Sequence, residues 1–220
     1  MVNNLFKQLQ PISTQGAEAK PVSTDKSRTI GILLAAGRGS RFDPTGNTSK
    51  LLQKIDGLPI VCHAAAHLSV ACAETLAIVR PGSSELKLWL KQAGCIVVEC
   101  PDAHSGMGHS LAWGIAEADR RFSPNIVVVA LGDMPFVKPA TIEQLTMAIS
   151  TEIQAASPEF MGRRGNPVAF GRSLFEQLGQ CKGDRGAAAV LSEDQLHLIH
   201  VTDPGVLHDI DSPEDLNDKA

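Results

Sequence analysis

Two hydrophobic periods alternate along this chain. Short, largely apolar runs recur at Thr29–Leu34 (TIGILL), Glu74–Val79 (ETLAIV), residues 95–99 (CIVVE) and Ile126–Leu131 (IVVVAL). Runs of this length, rich in β-branched residues and uncharged in their interiors, have the pattern of strands buried on both faces. IVVVAL is the most strand-like of them and is expected at the centre of the sheet. Between these runs the spacing is helical: residues 60–70, entered through Gly57-Leu58-Pro59; residues 83–93, with Ser83 as a cap; residues 106 to about 122; and residues 139 to about 150. Strand and helix alternate throughout, which predicts right-handed βαβ units. The expected fold is a Rossmann-like three-layer α/β/α sandwich on a mainly parallel central sheet.

Beyond residue 150 the pattern is less regular. Residues 162–167 (GRRGNP) read as a loop, 168–170 as a short strand, 173–178 and 186–191 as helices, and 196–201 as a strand. Ser212-Pro213-Glu214 starts a last helix with a cap, a proline at the first position and an early acid. Residues 1–28 are rich in Gln, Ser, Thr, Pro and Lys, with Val2, Leu5, Phe6, Ile12 and Val22 as their sizeable apolar side chains. They are expected to form a flexible extension, whose early LFKQLQ could dock as a short helix.

Composition narrows the possibilities. A chain of 220 residues with 43% hydrophobic content supports a sizeable core, and residues 29–220 are expected to form one domain. The net charge of −4 and a pI near 6.0, with basic residues scattered outside one loop, argue against nucleic acid as a partner. The five cysteines form no CxxC pair, and an odd number cannot all pair within one chain. Reduced thiols in a cytoplasm are the expectation. No apolar run approaches the roughly 20 residues of a membrane span, and the N-terminus lacks the apolar core of a signal peptide. His63 and His67 have the i, i+4 spacing of a zinc pair, but no Glu follows His63 and no third ligand is evident, so surface histidines are expected.

The candidate chemistry centres on residues 34–50, LAAGRGSRFDPTGNTSK, which follow the first strand. Ala35, Ala36, Gly37 and Gly39 let a ligand approach the backbone N–H groups, while Arg38, Arg41 and Lys50 supply positive charge. That combination suits a polyphosphate. The dinucleotide fingerprint would need a third Gly where Phe42 stands, and the Gly-Lys-Ser/Thr of a P-loop is missing. Asp133 follows the central strand, at the end where ligands bind in parallel sheets, and could hold Mg²⁺ against a triphosphate; a plain turn is the alternative. Alternation places Asp209 and Asp211 on one face of an extended segment, so both could approach one cation. Alternatively, Asp211 or Ser212 only caps the last helix.

LAAGRGSRF followed by Lys50-Leu51-Leu52 resembles the signature loop of the MobA-like nucleotidyltransferases, which join an NTP to a phosphorylated acceptor and release pyrophosphate. Within that superfamily, Leu34-Ala35-Ala36-Gly37 is similar to the MocA branch, the molybdenum cofactor cytidylyltransferases; guanylyl-transferring relatives carry Leu-Ala-Gly-Gly. The likeness extends through most of the chain from Thr29 and implies the nucleotide-diphospho-sugar transferase type of sandwich. It implies Arg41, Lys50 and Asp133 as catalytic residues, with Asp133 and Asp211 as Mg²⁺ ligands. Asp211 stands in DIDSPED, similar to the family's DIDTPED, and Asp209 is a lesser candidate.

Nucleotide contacts are implied for Leu34, Ala35, Ala36, Gly37, Arg38 and Gly39, and for Gly106, Met107, Gly108 and Ser110 in a stretch that resembles GMGxSL. Residues 162–167 resemble the acceptor-side loop, in which Gly-His-Pro is usual. Here Asn166 precedes Pro167, so an imidazole's role is lost although Asn still offers a donor and an acceptor. Residues 183–187 resemble the acceptor-side GDxGA element and bring in Asp184 and Arg185; Arg163, Arg164 and Arg185 become partners for an acceptor phosphate, with solvated arginines as the alternative. Residues 43–47 lengthen the segment before the lysine and are expected to bulge while Lys50 keeps its place.

The implied division is a nucleotide-binding half over residues 29–150 and an acceptor-side half over 151–220. The implied reaction is Mg²⁺-dependent transfer of CMP from CTP to the terminal phosphate of molybdopterin, with a molybdenum hydroxylase apoenzyme as a candidate recipient of the product. The alternatives are a related enzyme using another NTP or acceptor, and a non-catalytic cofactor carrier.

Overall fold

In chain order the strands are β1 (Thr29–Leu34), β2 (Lys54–Ile55), β3 (Leu58–Pro59), β4 (Glu74–Val79), β5 (Ile96–Glu99), β6 (Ile126–Leu131), β7 (Ala155–Phe160), β8 (Arg163–Arg164), β9 (Val168–Gly171) and β10 (His197–His200). The helices are α1 (Ile60–Ala71), α2 (Ser84–Gln92), α3 (Met107–Phe122), α4 (Pro139–Ala148) and the single turn α5 (Phe175–Leu178). This is a computed structural model that describes residues 29–217 apart from 40, 44, 46, 47, 190, 193 and 194. The extension expected over residues 1–28 lies outside the described residues.

The main sheet has the order β10-β7-β9-β6-β1-β4-β5, with β8 paired to β7 as a hairpin. Strands β6, β1, β4 and β5 are parallel neighbours, and β10 is parallel to β7. β9 runs antiparallel to both β6 and β7, so the sheet is mixed and mainly parallel. IVVVAL takes the central place predicted for it. Alternation along β1 divides the core: Leu33 faces a cluster built with α1, α2 and α4, whereas Ile30 and Ile32 face one built with α3 and α5. The result is the expected three-layer sandwich.

Two glycines bring helices close to β1. A Cβ on Gly31 would lie 2.7 Å from Leu68 of α1, and one on Gly114 of α3 would lie 2.8 Å from Ile32. Leu68 of α1 is thereby pressed against the sheet and Ile32 of β1 against α3, both fully buried; burying a leucine such as Leu68 contributes about 1.5–3 kcal/mol.

Several expectations change in the structure. β7 has no counterpart among the expected strands: AASPEF lacks the β-branched residues of a typical strand, and Pro158 sits where the strand leaves β9 and takes up β8. Its small residues Ala155, Ala156 and Ser157 are nonetheless fully buried. β2 and β3 form a hairpin through Asp56 and Gly57, both at positive φ (49° and 84°), the turn chemistry that an Asp-Gly pair favours. The helices expected over 186–191 and after Ser212 are 3₁₀ turns, Gly186–Ala189 and Glu214–Asn217. At the last one the Asp215 carboxylate accepts from the backbone N–H groups of Asp211 and Ser212.

His63 is buried rather than on the surface, its Nε2 2.9 Å from the Ile55 carbonyl oxygen. All five cysteines are buried and no disulfide joins them, and burial pushes the Cys62 and Cys95 thiols up to about 12. Among the described residues no helix is long and apolar enough to cross a membrane.

Candidate active site

The site begins where the adjacent parallel strands β1 and β6 end. The Gly132 N–H donates to the Leu34 carbonyl oxygen at 2.9 Å, and a Cβ on Gly132 would come within 3.2 Å of that oxygen. The two loops part from this point, and a cleft of about 550 Å³ opens between them. Its size suits a small-molecule ligand.

Lys50, on the 3₁₀ turn Lys50–Leu52 anchored by buried Leu51, forms the centre of the cleft's charged end. Its Nζ donates to Asp133 Oδ2 at 2.7 Å and to Asp211 Oδ1 at 2.9 Å, while Arg41 Nη1 donates to Asp211 Oδ2 at 2.6 Å. Asp211 is carried there by its neighbour Ile210, which is fully buried and donates its N–H to the Asp133 carbonyl oxygen at 2.9 Å. Asp209, on the other side of Ile210, is exposed.

The side chain of Lys50 is only 11% exposed, whereas Asp211 is 38% and Arg41 82% exposed. The Arg41 pair is therefore well screened and contributes at most about 1 kcal/mol. Burial opposes the Lys50 charge, but Asp133 and Asp211 outweigh it and the net shift raises its pKa. The hydrogen bond from Lys50 holds the Asp211 carboxyl below the usual carboxylate range, against the opposing effect of burial.

Two carboxylates within hydrogen-bond reach of one ammonium lie close enough together to share a cation. Hard oxygen donors, few in number, suit Mg²⁺, which takes one or two carboxylates and completes its shell with phosphate and water. Among the described residues no group of three or more His, Cys, Asp or Glu suited to a metal forms a fuller cage. The donor set thus fits a divalent ion bound together with its substrate.

The glycine-rich loop contributes unevenly. Leu34, Ala36, Gly37, Arg38 and Gly39 line the cleft, and a Cβ on Gly37 would meet nothing within 4 Å. Gly39 has φ +63°, and its carbonyl oxygen accepts from the N–H groups of Phe42 and Asp43, which turns the chain back. Ala35 does not face the ligand space: it is buried in the core, and its N–H donates to the Ile78 carbonyl oxygen. The lengthened segment is organised around Asp43, whose carboxylate accepts from Thr45 N–H, Thr45 Oγ1 and Thr48 N–H and is pulled down to about 2, chiefly by the Thr45 hydroxyl.

The far end of the cleft is lined by Ala103, His104, Gly106, Met107, Ser110 and Asp184. Gly108 is not among these residues. Its N–H donates to the Gly183 carbonyl oxygen at 2.7 Å, and a Cβ there would stand 2.7 Å from the Lys182 backbone. The glycine thus has a packing reason.

The residues expected on the acceptor side do not gather in this cleft, Asp184 excepted. Arg163 and Arg164 lie exposed on β8, and Arg185 lies exposed beside Asp184. Asn166 and Pro167 border a void of about 10 Å³ with His67 and Met134. Sequence reasoning missed Ser49, Leu51, Ala103, His104 and Leu131 as lining residues. Ala103 and His104 follow the carboxyl end of β5, and the rule that placed Asp133 would have flagged them.

This fold and cleft are those of nucleotide-handling α/β proteins. A solved nucleotidyl transferase from Methanothermobacter thermautotroptrophicus (Mth528) is similar with a TM-score of 0.73 at 22% identity, covering 86% of this chain and 94% of that one. Rv0371c from Mycobacterium tuberculosis, solved as a complex with manganese, is similar with a TM-score of 0.66 at 23% identity, covering 86% and 95%. The chain belongs to the MobA-like NTP transferase domain family, whose model matches residues 31–198. A curated relative, the purine catabolism protein PucB of Bacillus subtilis, is 34% identical over 119 residues, which span 53% of this chain and 57% of PucB.

Proposed function

We propose that this protein is a Mg²⁺-dependent cytidylyltransferase that moves CMP from CTP to the terminal phosphate of molybdopterin, giving molybdopterin cytosine dinucleotide and pyrophosphate. The observation that carries the reading is the convergence of Asp133 and Asp211 on the Lys50 ammonium, beside a glycine-rich loop that also offers Arg38 and Arg41. A phosphate monoester has a second pKa near 6 and needs no protein nucleophile at neutral pH. One of its oxygens attacks the α-phosphorus, the bond to the bridging oxygen breaks, and pyrophosphate leaves with the electron pair.

The difficulty is bringing two polyanions together in line, so the protein's work is positioning and charge neutralisation. Lys50, Arg41 and Arg38 neutralise the triphosphate and the departing pyrophosphate. Asp133 and Asp211 would hold the Mg²⁺, which supplies further neutralisation of the phosphate oxygens when bound. A fold neighbour solved with manganese supports a divalent ion. In this reading residues 29–150 hold the nucleotide, residues 151–220 supply the acceptor side with Arg163, Arg164, Arg185, Asn166 and Pro167, and the enzyme works in the cytoplasm. The CTP preference rests on Ala36, whose place guanylyl-transferring relatives fill with glycine and which lines the cleft.

The test incubates purified protein with Mg²⁺, molybdopterin and each of the four NTPs in turn and measures pyrophosphate. Release with CTP above the others is expected. A preference for GTP would remove the cytidylyltransferase assignment, and no release with any NTP would leave a carrier.

A further inference from the structure

Asp184 belongs to an element whose family resemblance points to the acceptor, yet the structure brings it into the same cleft as the glycine-rich loop. The carboxylate lies against Gly106: a Cβ on that glycine would stand 2.6 Å from Asp184 Oδ1 and 2.5 Å from the Gly183 backbone. The loop is held by its own contacts, with the Gly183 carbonyl oxygen accepting from Gly108 N–H at 2.7 Å and the Gly183 N–H donating to His109 Nδ1 at 3.4 Å. Asp184 is therefore tied to the start of α3.

The sheet order separates this place from the cations. Ala103, His104 and Gly106 follow β5, which lies two strands from β1. At roughly 4.8 Å per strand, that end of the cleft stands roughly 10 Å from the loop that follows β1, about the reach of a nucleoside beyond its phosphates. With the triphosphate at Lys50, Arg41 and Arg38, the base and ribose extend toward Asp184. A carboxylate there repels a phosphorylated acceptor but accepts hydrogen bonds from a sugar hydroxyl or from the exocyclic amine of cytosine, where uracil presents an acceptor oxygen instead.

We infer that Asp184 reads the nucleoside of the bound nucleotide, its carboxylate accepting hydrogen bonds from donor groups on the ribose or base. The inference rests on the nucleotidyltransferase reading. Its test measures equilibrium binding of CTP, UTP and 2′,3′-dideoxy-CTP to the wild type, Asp184→Ala and Asp184→Asn, together with melting temperature and the KM for the acceptor.

Asp184 is exposed, so both variants should melt with the wild type; the isosteric Asp184→Asn keeps the comparison open if the loop is sensitive to truncation. Asp184→Ala should bind CTP about tenfold or more weakly, the range for a hydrogen bond to a charged group, with the acceptor KM unchanged. A loss seen with CTP and UTP but absent with the dideoxy nucleotide assigns the contact to the ribose; a loss seen with CTP but not UTP assigns it to the amine. CTP affinity within twofold of wild type, an equal loss for all three ligands, or a rise in the acceptor KM alone overturns the inference. A wild type that binds no NTP fails differently, because it removes the transferase reading itself.

Discussion

Asp203 ties the start of α4 to the 3₁₀ turn Pro204–Leu207. The residue is 3% exposed and its carboxylate accepts three hydrogen bonds: from Lys138 N–H at 2.8 Å, from Thr141 Oγ1 at 2.7 Å and from Gly205 N–H at 3.1 Å. Lys138 and Thr141 are the N-cap and third residues of α4, so a residue 62 positions from Thr141 caps that helix and also starts the 3₁₀ turn Pro204–Leu207. Lys138 in turn ends the short loop that begins at Asp133.

Asp203→Ala would orphan two backbone N–H groups and one hydroxyl in a buried place. Losing an N-cap acceptor costs about 1 kcal/mol, and each further buried donor left unpaired costs about 1–3 kcal/mol before water enters the space. Because such terms are not additive and water recovers part of the loss, a net cost of about 2–4 kcal/mol is expected. For a chain of this size that corresponds to a melting temperature about 4–16 °C lower. Asp203→Asn keeps one acceptor oxygen and should lose about half as much. Urea unfolding with an unchanged m-value would measure both variants. A loss below about 0.5 kcal/mol for Asp203→Ala would refute the claim that this carboxylate holds α4 and the loop before it.

Asp133→Asn should keep the fold and cut pyrophosphate release by about a hundredfold or more, the scale of losing a main electrostatic element; near-normal release would remove Asp133 from the chemistry. The Lys50–Asp211 pair also predicts a pH dependence. The folded pKa of Asp211 is depressed, so its contribution is present above the unfolded value near 3.9 and is lost as pH falls through the lower folded value. The folded pKa of Lys50 is raised, so its contribution is full below about 10.4 and is lost as pH rises through the higher folded value. The gap in urea midpoint between wild type and Lys50→Met should therefore be flat from about pH 5 to 9 and shrink in stronger acid or base; a gap independent of pH contradicts the pairing. Ala36→Gly should narrow the preference for CTP over GTP several-fold without abolishing CTP use, since one methyl is worth about 1 kcal/mol. Competition at equal nucleotide concentrations reads this out, and an unchanged ratio would place the determinant elsewhere.

The parallel half of this protein is legible in its residues alone. TIGILL, ETLAIV and IVVVAL carry their burial in their own composition, because a strand covered by helices on both faces is apolar throughout and shows it within six residues; CIVVE, the edge strand, reads the same but is only half-buried. The glycine-rich loop and Asp133 were legible for a related reason: they follow such strands directly, and ligands gather at the carboxyl ends of parallel sheets.

How the second half joins depends on long-range packing. β7 is a strand because its backbone pairs with β9 and β10 while Ala155 and Ala156 are buried in the cores on opposite faces of the sheet, although AASPEF has little strand preference of its own. The reversal of β9, the meeting of Lys50 with Asp211 across 161 residues, the capping of α4 by Asp203 and the entry of Asp184 into the nucleotide-loop cleft all join segments far apart in the chain. Hydrophobic period reports which way a residue faces within its own element; which remote groups then meet depends on how the buried faces of all the elements pack, and no local window of sequence contains that.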